Sequence, residues 1–147
     1  MALRKFKNKG ETNATPINAE NLNFNFTDLD NRSISESGSN ELGSWIKFND
    51  GTMICTRTIA TTIDCTNSWG TLYYGQNNDK YNFAQSFIEP PILNLQYSTY
   101  GAISFIPIVY SGIVIDNDGF KRIEIARPNS VANIYVKVYV IAIGKWK

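Results

Sequence analysis

Aromatic rings and amides gather in one stretch of this 147-residue chain: Trp69, Tyr73, Tyr74, Tyr81, Tyr97 and Tyr100 lie around Asn77, Asn78 and Asp79. This mixture suits sugars, whose C–H faces stack on rings while amides and carboxylates take the hydroxyls. Most rings of a small β domain serve its interior. Tyr73 and Tyr74 are neighbours, however, and adjacent strand residues face opposite sides, so one of the two must lie outside the core. Tyr74, Asn77, Asp79 and Tyr100 are therefore the ligand-binding candidates. The loops 66–68 and 75–80, which flank a strand over 69–74, together with Tyr100, are the expected recognition region, because function collects on loops held by a rigid scaffold.

Other chemistries fare worse. Histidine is absent, which removes the commonest general base, the Ser-His and Cys-His nucleophile systems and the commonest metal ligand. Asp64, Asp79, Glu89 and Asp118 all lie near turns. Glycoside hydrolysis would need two carboxylates about 5 Å or about 6.5–9.5 Å apart in a cleft, and a small sandwich offers little cleft. Asp116-Asn117-Asp118-Gly119 lacks the further carboxylates of a calcium loop and reads as a strand-connecting turn. Cys55 and Cys65 fit no zinc spacing and read as free, buried thiols. The chain is expected to be no enzyme and to hold no metal or cofactor.

A net charge of +1 gives no global field to draw nucleic acid. Four cations in the N-terminal arm (Arg4, Lys5, Lys7, Lys9), without a reading module, do not change that. No apolar run approaches the ~20 residues of a membrane span. Neither a nucleic-acid partner nor membrane insertion is expected.

The elements that must position the candidates can be read from punctuation and periodicity. After the arm, Thr15-Pro16 reads as a helix start, a hydroxyl cap followed by proline where its missing N–H is harmless. Ala19, Leu22, Phe26 and Leu29 follow at coiled-coil spacing for barely two heptads. A helix of roughly 15 residues is marginal alone, so this stripe must pack on its own globular domain, on sister helices or on a partner. The Ser/Gly-rich stretch from Ser33 to Gly43 has the composition of a flexible linker. Beyond it come a hairpin (strands 44–48 and 52–59 around Asn49-Asp50-Gly51), the 69–74 strand stopped by Gly75, and strands over 92–98, 103–106, 108–115 and 120–126. Pro107 belongs at an edge or bulge. In the 120–126 strand Lys121 is expected beside Ile123 and Ile125, with Arg122 and Glu124 outward.

The last strand alternates cleanly. Ala132, Ile134, Val136, Val138 and Val140 take one face and Asn133, Tyr135, Lys137 and Tyr139 the other. Towards its end Ile141 and Ile143 make the second face apolar too. Such a strand needs a second covering surface, and another copy of the chain is the expected cover. The whole describes an antiparallel β-sandwich with a short N-terminal helix. Residues 1–36 form an arm and helical anchor, 37–43 a linker and 44–147 the sandwich.

In order, several segments resemble one pattern. Gly43-Ser44-Trp45-Ile46-Lys47-Phe48-Asn49-Asp50-Gly51-Thr52 is similar to the opening hairpin of C-terminal domains on bacteriophage tail fibres and baseplate receptor-binding proteins. Tyr81-Asn82-Phe83, Phe87 and Pro90-Pro91-Ile92 resemble the "F…F…PP" segment that those domains share with the H-type lectin fold. Tyr139 to Trp146 resembles their closing strand, and Thr15 to Asn23 a "TPINAENLN" segment near the start of phage tail proteins. The resemblance implies a trimeric, H-type-lectin-like sandwich at the tip of a tail device. Its sugar-coordinating set has no match here, so no binding residue carries over.

The expectation is a receptor-binding protein of a virion tail, assembled in the bacterial cytoplasm and acting at the host cell surface on a bacterial surface carbohydrate. The N-terminal region would join it to other tail or baseplate proteins, and Leu22, Phe26, Leu29, Ile141 and Ile143 would form the homotrimer interface. A structural adaptor or collar protein of the tail, without its own receptor binding, is the alternative.

Overall fold

The computed structural model describes residues 19–99, 105–108 and 112–147. Among these residues one helix, α1 (Ala19–Arg32), precedes ten strands: β1 (Ile34–Asn40), β2 (Gly43–Phe48), β3 (Thr52–Cys65), β4 (Asn67–Trp69), β5 (Leu72–Asn82), β6 (Ile92–Thr99), β7 (Ile106–Pro107), β8 (Val114–Ile115), β9 (Gly119–Arg127) and β10 (Val131–Lys145). They form two antiparallel sheets. The first runs β1-β2-β3-β10-β6; the second runs β4-β5-β9-β7, with β8 also on β9. This is the mainly β sandwich that the alternation predicts. The basic arm and the Thr15-Pro16 helix start lie outside the described residues.

The core lies between the sheets and is supplied by inward positions of the long strands. β10 gives Ile134, Val136, Val138, Val140 and Ala142, β3 gives Met53, Cys55, Ile59 and Ile63, and β9 gives Phe120, Ile123 and Ile125, all buried. Residues of the F…F…PP segment close one end, with the Phe83 and Phe87 rings edge-to-face, 5.4 Å between centroids. Trp146 locks the chain's end onto the first hairpin. Its Nε1 donates to the Phe48 carbonyl at 3.0 Å and its backbone N–H to that of Gly51 at 3.0 Å. Pro107 sits on the edge strand β7, where a missing donor costs no ladder bond.

Four departures from the sequence reading have local causes. First, most of the supposed linker is strand: residues 34–40 pair with β2, and α1 runs into it with only Ser33 between. Gly38 is a packing glycine, since a Cβ there would stand 2.5 Å from Trp45 Cζ2. Asn49 ties the helix end to the β2–β3 turn, donating from Nδ2 to the Asp30 carbonyl at 3.0 Å. Second, residues 69–74 are not one strand. The chain turns at Gly70-Thr71, and the polar run after Gly75 continues β5 to Asn82. Gly75 marks a close approach rather than a stop, because a Cβ would collide with the Asp64 carbonyl.

Third, β9 loses its alternation at Arg122, whose φ is 78°. Opposite it the register of β5 slips between Asn77 and Lys80, so Phe120 and Ile123 both face the core while Lys121 is exposed. Fourth, β10 has a similar slip at Asn133 (φ 56°), which leaves Ala132 exposed and Ile134 inward. In all four places the energy comes from pairing between strands, local in the two hairpins and long-range in β9 and β10, which overrides local composition.

Two outcomes follow. Removing residues 1–32 should leave the sandwich's melting temperature nearly unchanged. Removing 1–42 also strips the β1 contact with Trp45 and should lower it by several degrees; equal melting would show that β1 adds nothing. Cys55 and Cys65 are free, and burial pushes both thiols up from their ordinary range. They should resist a disulfide-exchange reagent at neutral pH until the protein unfolds. The sign follows from linkage: their contribution to stability is complete below the unfolded thiol pKa and fades as pH rises through the folded one. Fast labelling of the native protein would contradict this burial.

Candidate functional site

The outer face of the second sheet carries a concavity of about 300 Å³ lined by Trp69, Tyr74, Gln76, Ile108, Arg122 and Glu124. Register explains the convergence. Trp69 pairs with Leu72 across the Gly70-Thr71 turn, and Asn67 with Tyr74. Directly opposed residues share a face, so Trp69, Leu72, Tyr74 and Gln76 all look outward, while Tyr73 packs on the core. On β9, Glu124 lies opposite Gln76 and Ala126 opposite Tyr74. The slip at Arg122 then brings a guanidinium to the wall of the same cup. Arg122 Nε donates to Asn78 Oδ1 at 3.2 Å, and the Ile108 N–H donates to the Glu124 carbonyl at 3.1 Å.

The cup has an unusual floor. Glu124 is only 7% exposed, and its Oε2 is buried without a hydrogen-bond partner. Among the described residues it makes no ion pair. In the same cup Trp69 is 52% exposed, a large ring left to solvent. Burial pushes the Tyr97 phenol up, the Glu124 backbone offsets part of that, and the Glu124 charge adds a smaller upward push. An exposed indole, a tyrosine, an amide, a guanidinium and an unpaired carboxylate can together stack a ring and exchange hydrogen bonds of both senses.

The four sequence candidates do not meet in one place. Tyr74 lines the cup. Asn77 is held elsewhere, its Nδ2 donating to Thr61 Oγ1 at 3.0 Å and its Oδ1 accepting from the Asp79 N–H at 2.8 Å. With Asp79, Asp64 and Asn133 it lines a second, polar groove that meets the cup at Gln76. There Asp64 Oδ1 accepts from the Asn133 backbone N–H at 2.6 Å. Tyr100 lies outside the described residues. The segments expected as loops are β4 and the middle of β5, so Tyr74, Asn77 and Asp79 stand on a strand.

Gln76, Arg122 and Glu124 escaped sequence reasoning as site residues. The one available signal was the outward charged pair on β9, which any solvated strand face would also show. The Asp116–Gly119 segment closes as a turn, with the Asp116 N–H donating to the Gly119 carbonyl at 2.8 Å. Asp118 is engaged by Lys80 at 2.7 Å, the bond that draws its carboxyl below its usual range.

At the exposed interface candidates, Ile141 and Ile143 lie on the outer face of the first sheet, and Phe26 and Leu29 stand exposed on α1, while Leu22 is half-buried. Ile143 belongs to a row: Ile46, Ile54, Ile143 and Ile92 stand side by side across β2, β3, β10 and β6. Ile92 is 79% exposed.

Comparison with known proteins supports the architecture. No family model matches the sequence, and no curated protein matches it. Among solved structures the chain is similar to a C-terminal fragment of the Pseudomonas aeruginosa R1 pyocin fibre, with a TM-score of 0.53 at 16% identity. It covers 88% of this chain and 32% of that one, so the chain spans about a third of that fragment. It is equally similar to an N-truncated R1-type pyocin tail fibre (TM-score 0.53, 16% identity), covering 88% of this chain and 98% of that one. The fold is tail-fibre-like.

The unpaired floor predicts a stability trade. Glu124→Leu should raise unfolding stability by about 1 kcal/mol or more, because a buried acceptor without a partner is costly. Denaturant unfolding reads this directly, and a loss of stability would mean that the carboxylate is satisfied.

Proposed function

We propose that the protein is a receptor-binding component of a phage tail or phage-tail-like particle, that it recognises a bacterial surface glycan, and that the cup on the second sheet is where it does so. The observation that carries this is an exposed indole in the same cup as a buried carboxylate with one oxygen unpaired among the described residues, a costly arrangement for a face that only packs. The tail-fibre-like fold supports the setting. The lectin-like relation implied by the Tyr81 to Ile92 motif belongs to the same reading, as do assembly in the bacterial cytoplasm and action at the host surface. The protein acts without catalysis.

The isoleucine row supports a homotrimer. Four aliphatic side chains in register on an open sheet form an apolar surface of the kind that interfaces cover. The N-terminal helix, with Leu22, Phe26 and Leu29, joins the protein to other tail or baseplate proteins or extends the trimer seam. Three copies would raise weak single-site sugar binding through avidity. The adaptor reading gives the same row to a different particle protein and leaves the cup idle.

Two measurements separate these. Light scattering should give three times the chain mass for the wild type and the chain mass for Ile143→Asp, since burying an unpaired charge at the interface is costly. A wild-type monomer, or an intact Ile143→Asp trimer, would remove the row from the interface. Trp69→Ala with Tyr74→Ala should keep the oligomer and its melting temperature while abolishing binding to host cells. Undiminished cell binding by that variant would favour the adaptor.

A further inference from the structure

The floor of the cup narrows the ligand class, and this step rests on the glycan reading above. We infer that the cup takes a sugar carrying a free amine, with the ammonium lodged on Glu124 and beside the Trp69 and Tyr74 rings.

Glu124 lies on the cup's floor, 7% exposed, with Oε2 buried and without a partner. A carboxylate accepts and does not donate, so its complement must bring a donor. A hydroxyl can, but an ammonium brings both donors and opposite charge, and such charge-assisted bonds are about twice as strong as neutral ones. The rings point the same way. Tyr74 is the diagonal neighbour of Glu124 across β5 and β9, Trp69 lines the same cup from β4, and aromatic faces attract cations through their quadrupole, Trp best of all.

Arg122 is the one feature that argues against a cation, and its placement answers the objection. Its Nε is committed to Asn78 Oδ1 at 3.2 Å. Its Cζ and Nη1 fill the space over Gly112, so closely that a Cβ there would collide with them. The guanidinium thus lies along the wall, on Gly112, rather than over Glu124. Its remaining N–H groups can donate to an oxygen of the same sugar, while the C–H face of the ring stacks on Trp69. An N-acetyl group would replace the ammonium by a neutral amide and add bulk above the floor. A uronic acid would set carboxylate against carboxylate.

The test uses the full chain and four monosaccharide probes: D-glucosamine, D-galactosamine and their N-acetyl forms, each followed by saturation-transfer NMR at pH 6. At least one free amine should bind, and its N-acetyl form should bind more weakly by at least about tenfold, the scale of one charge-assisted bond. Glu124→Gln, nearly isosteric and checked for folding by its unfolding midpoint, should erase that preference. Trp69→Ala should remove binding of both forms. Equal binding of amine and N-acetyl forms, preference surviving in Glu124→Gln, or no binding by either amine would each overturn the inference. The glycan reading is judged separately: if the Trp69→Ala, Tyr74→Ala variant no longer binds host cells, it stands whatever the sugars do, and if that variant binds normally, both fail.

Discussion

Everything in this molecule hangs on the pairing of β3 with β10. The two run antiparallel along almost their whole lengths, from Val131 beside Cys65 to Lys145 beside Thr52. Their inward side chains form one wall of the core. Their outward side chains carry the isoleucine row at one end, through Ile54 and Ile143, so one ladder determines both. A register slip of one residue would turn Val136, Val138 and Val140 to solvent and bring Tyr135, Lys137 and Tyr139 inward. Cross-strand burial of the valines resists that. Deleting even one buried side chain of this wall would cost about 1 to 5 kcal/mol, a large part of a small domain's stability.

With this ladder in the middle, the sandwich has two dissimilar outer faces. The first sheet presents an isoleucine row in register at one end and Tyr135, Lys137 and Tyr139 along the rest of β10. The second presents a cup with a ring, a guanidinium and an unpaired acid. The slip at Arg122 is what allows the cup, because it keeps Phe120 and Ile123 in the core while bringing Arg122 and Glu124 to one concavity. An uninterrupted strand could not hold both inward residues, three positions apart, and still pair with β5. Core packing and site construction are solved by the same extra residue.

The fold was legible wherever alternation was strong. The closing strand, the 92–98 strand, the first hairpin and the edge proline all follow from period, turn residues and the missing donor. What could not be read was set by partners on other strands. Ser35, Ser37, Gly38 and Ser39 have linker composition, yet Gly38 is small because the Trp45 indole lies over it. Asn77, Asn78 and Asp79 look like a loop, yet they ride in β5, where the slip tolerates turn-forming residues. At the site, Tyr74 was found through its adjacency to Tyr73. Gln76 and Glu124 could not be paired without the β5–β9 register, and nothing in the sequence says that a strand-face glutamate will be buried.

The central claim is that the two outer faces have different occupants, an isoleucine row covered by sister chains and a Trp69 cup covered by the bacterial surface. Hydroxyl-radical footprinting of the intact protein, alone and on purified host envelope, tests it most directly. The account predicts that Ile143 and Ile92 are protected already in the free protein, that Trp69 and Tyr74 are oxidised there, and that envelope protects only the latter pair. Oxidation of Ile143 and Ile92 in the free protein, or equal oxidation of Trp69 with and without envelope, would contradict it.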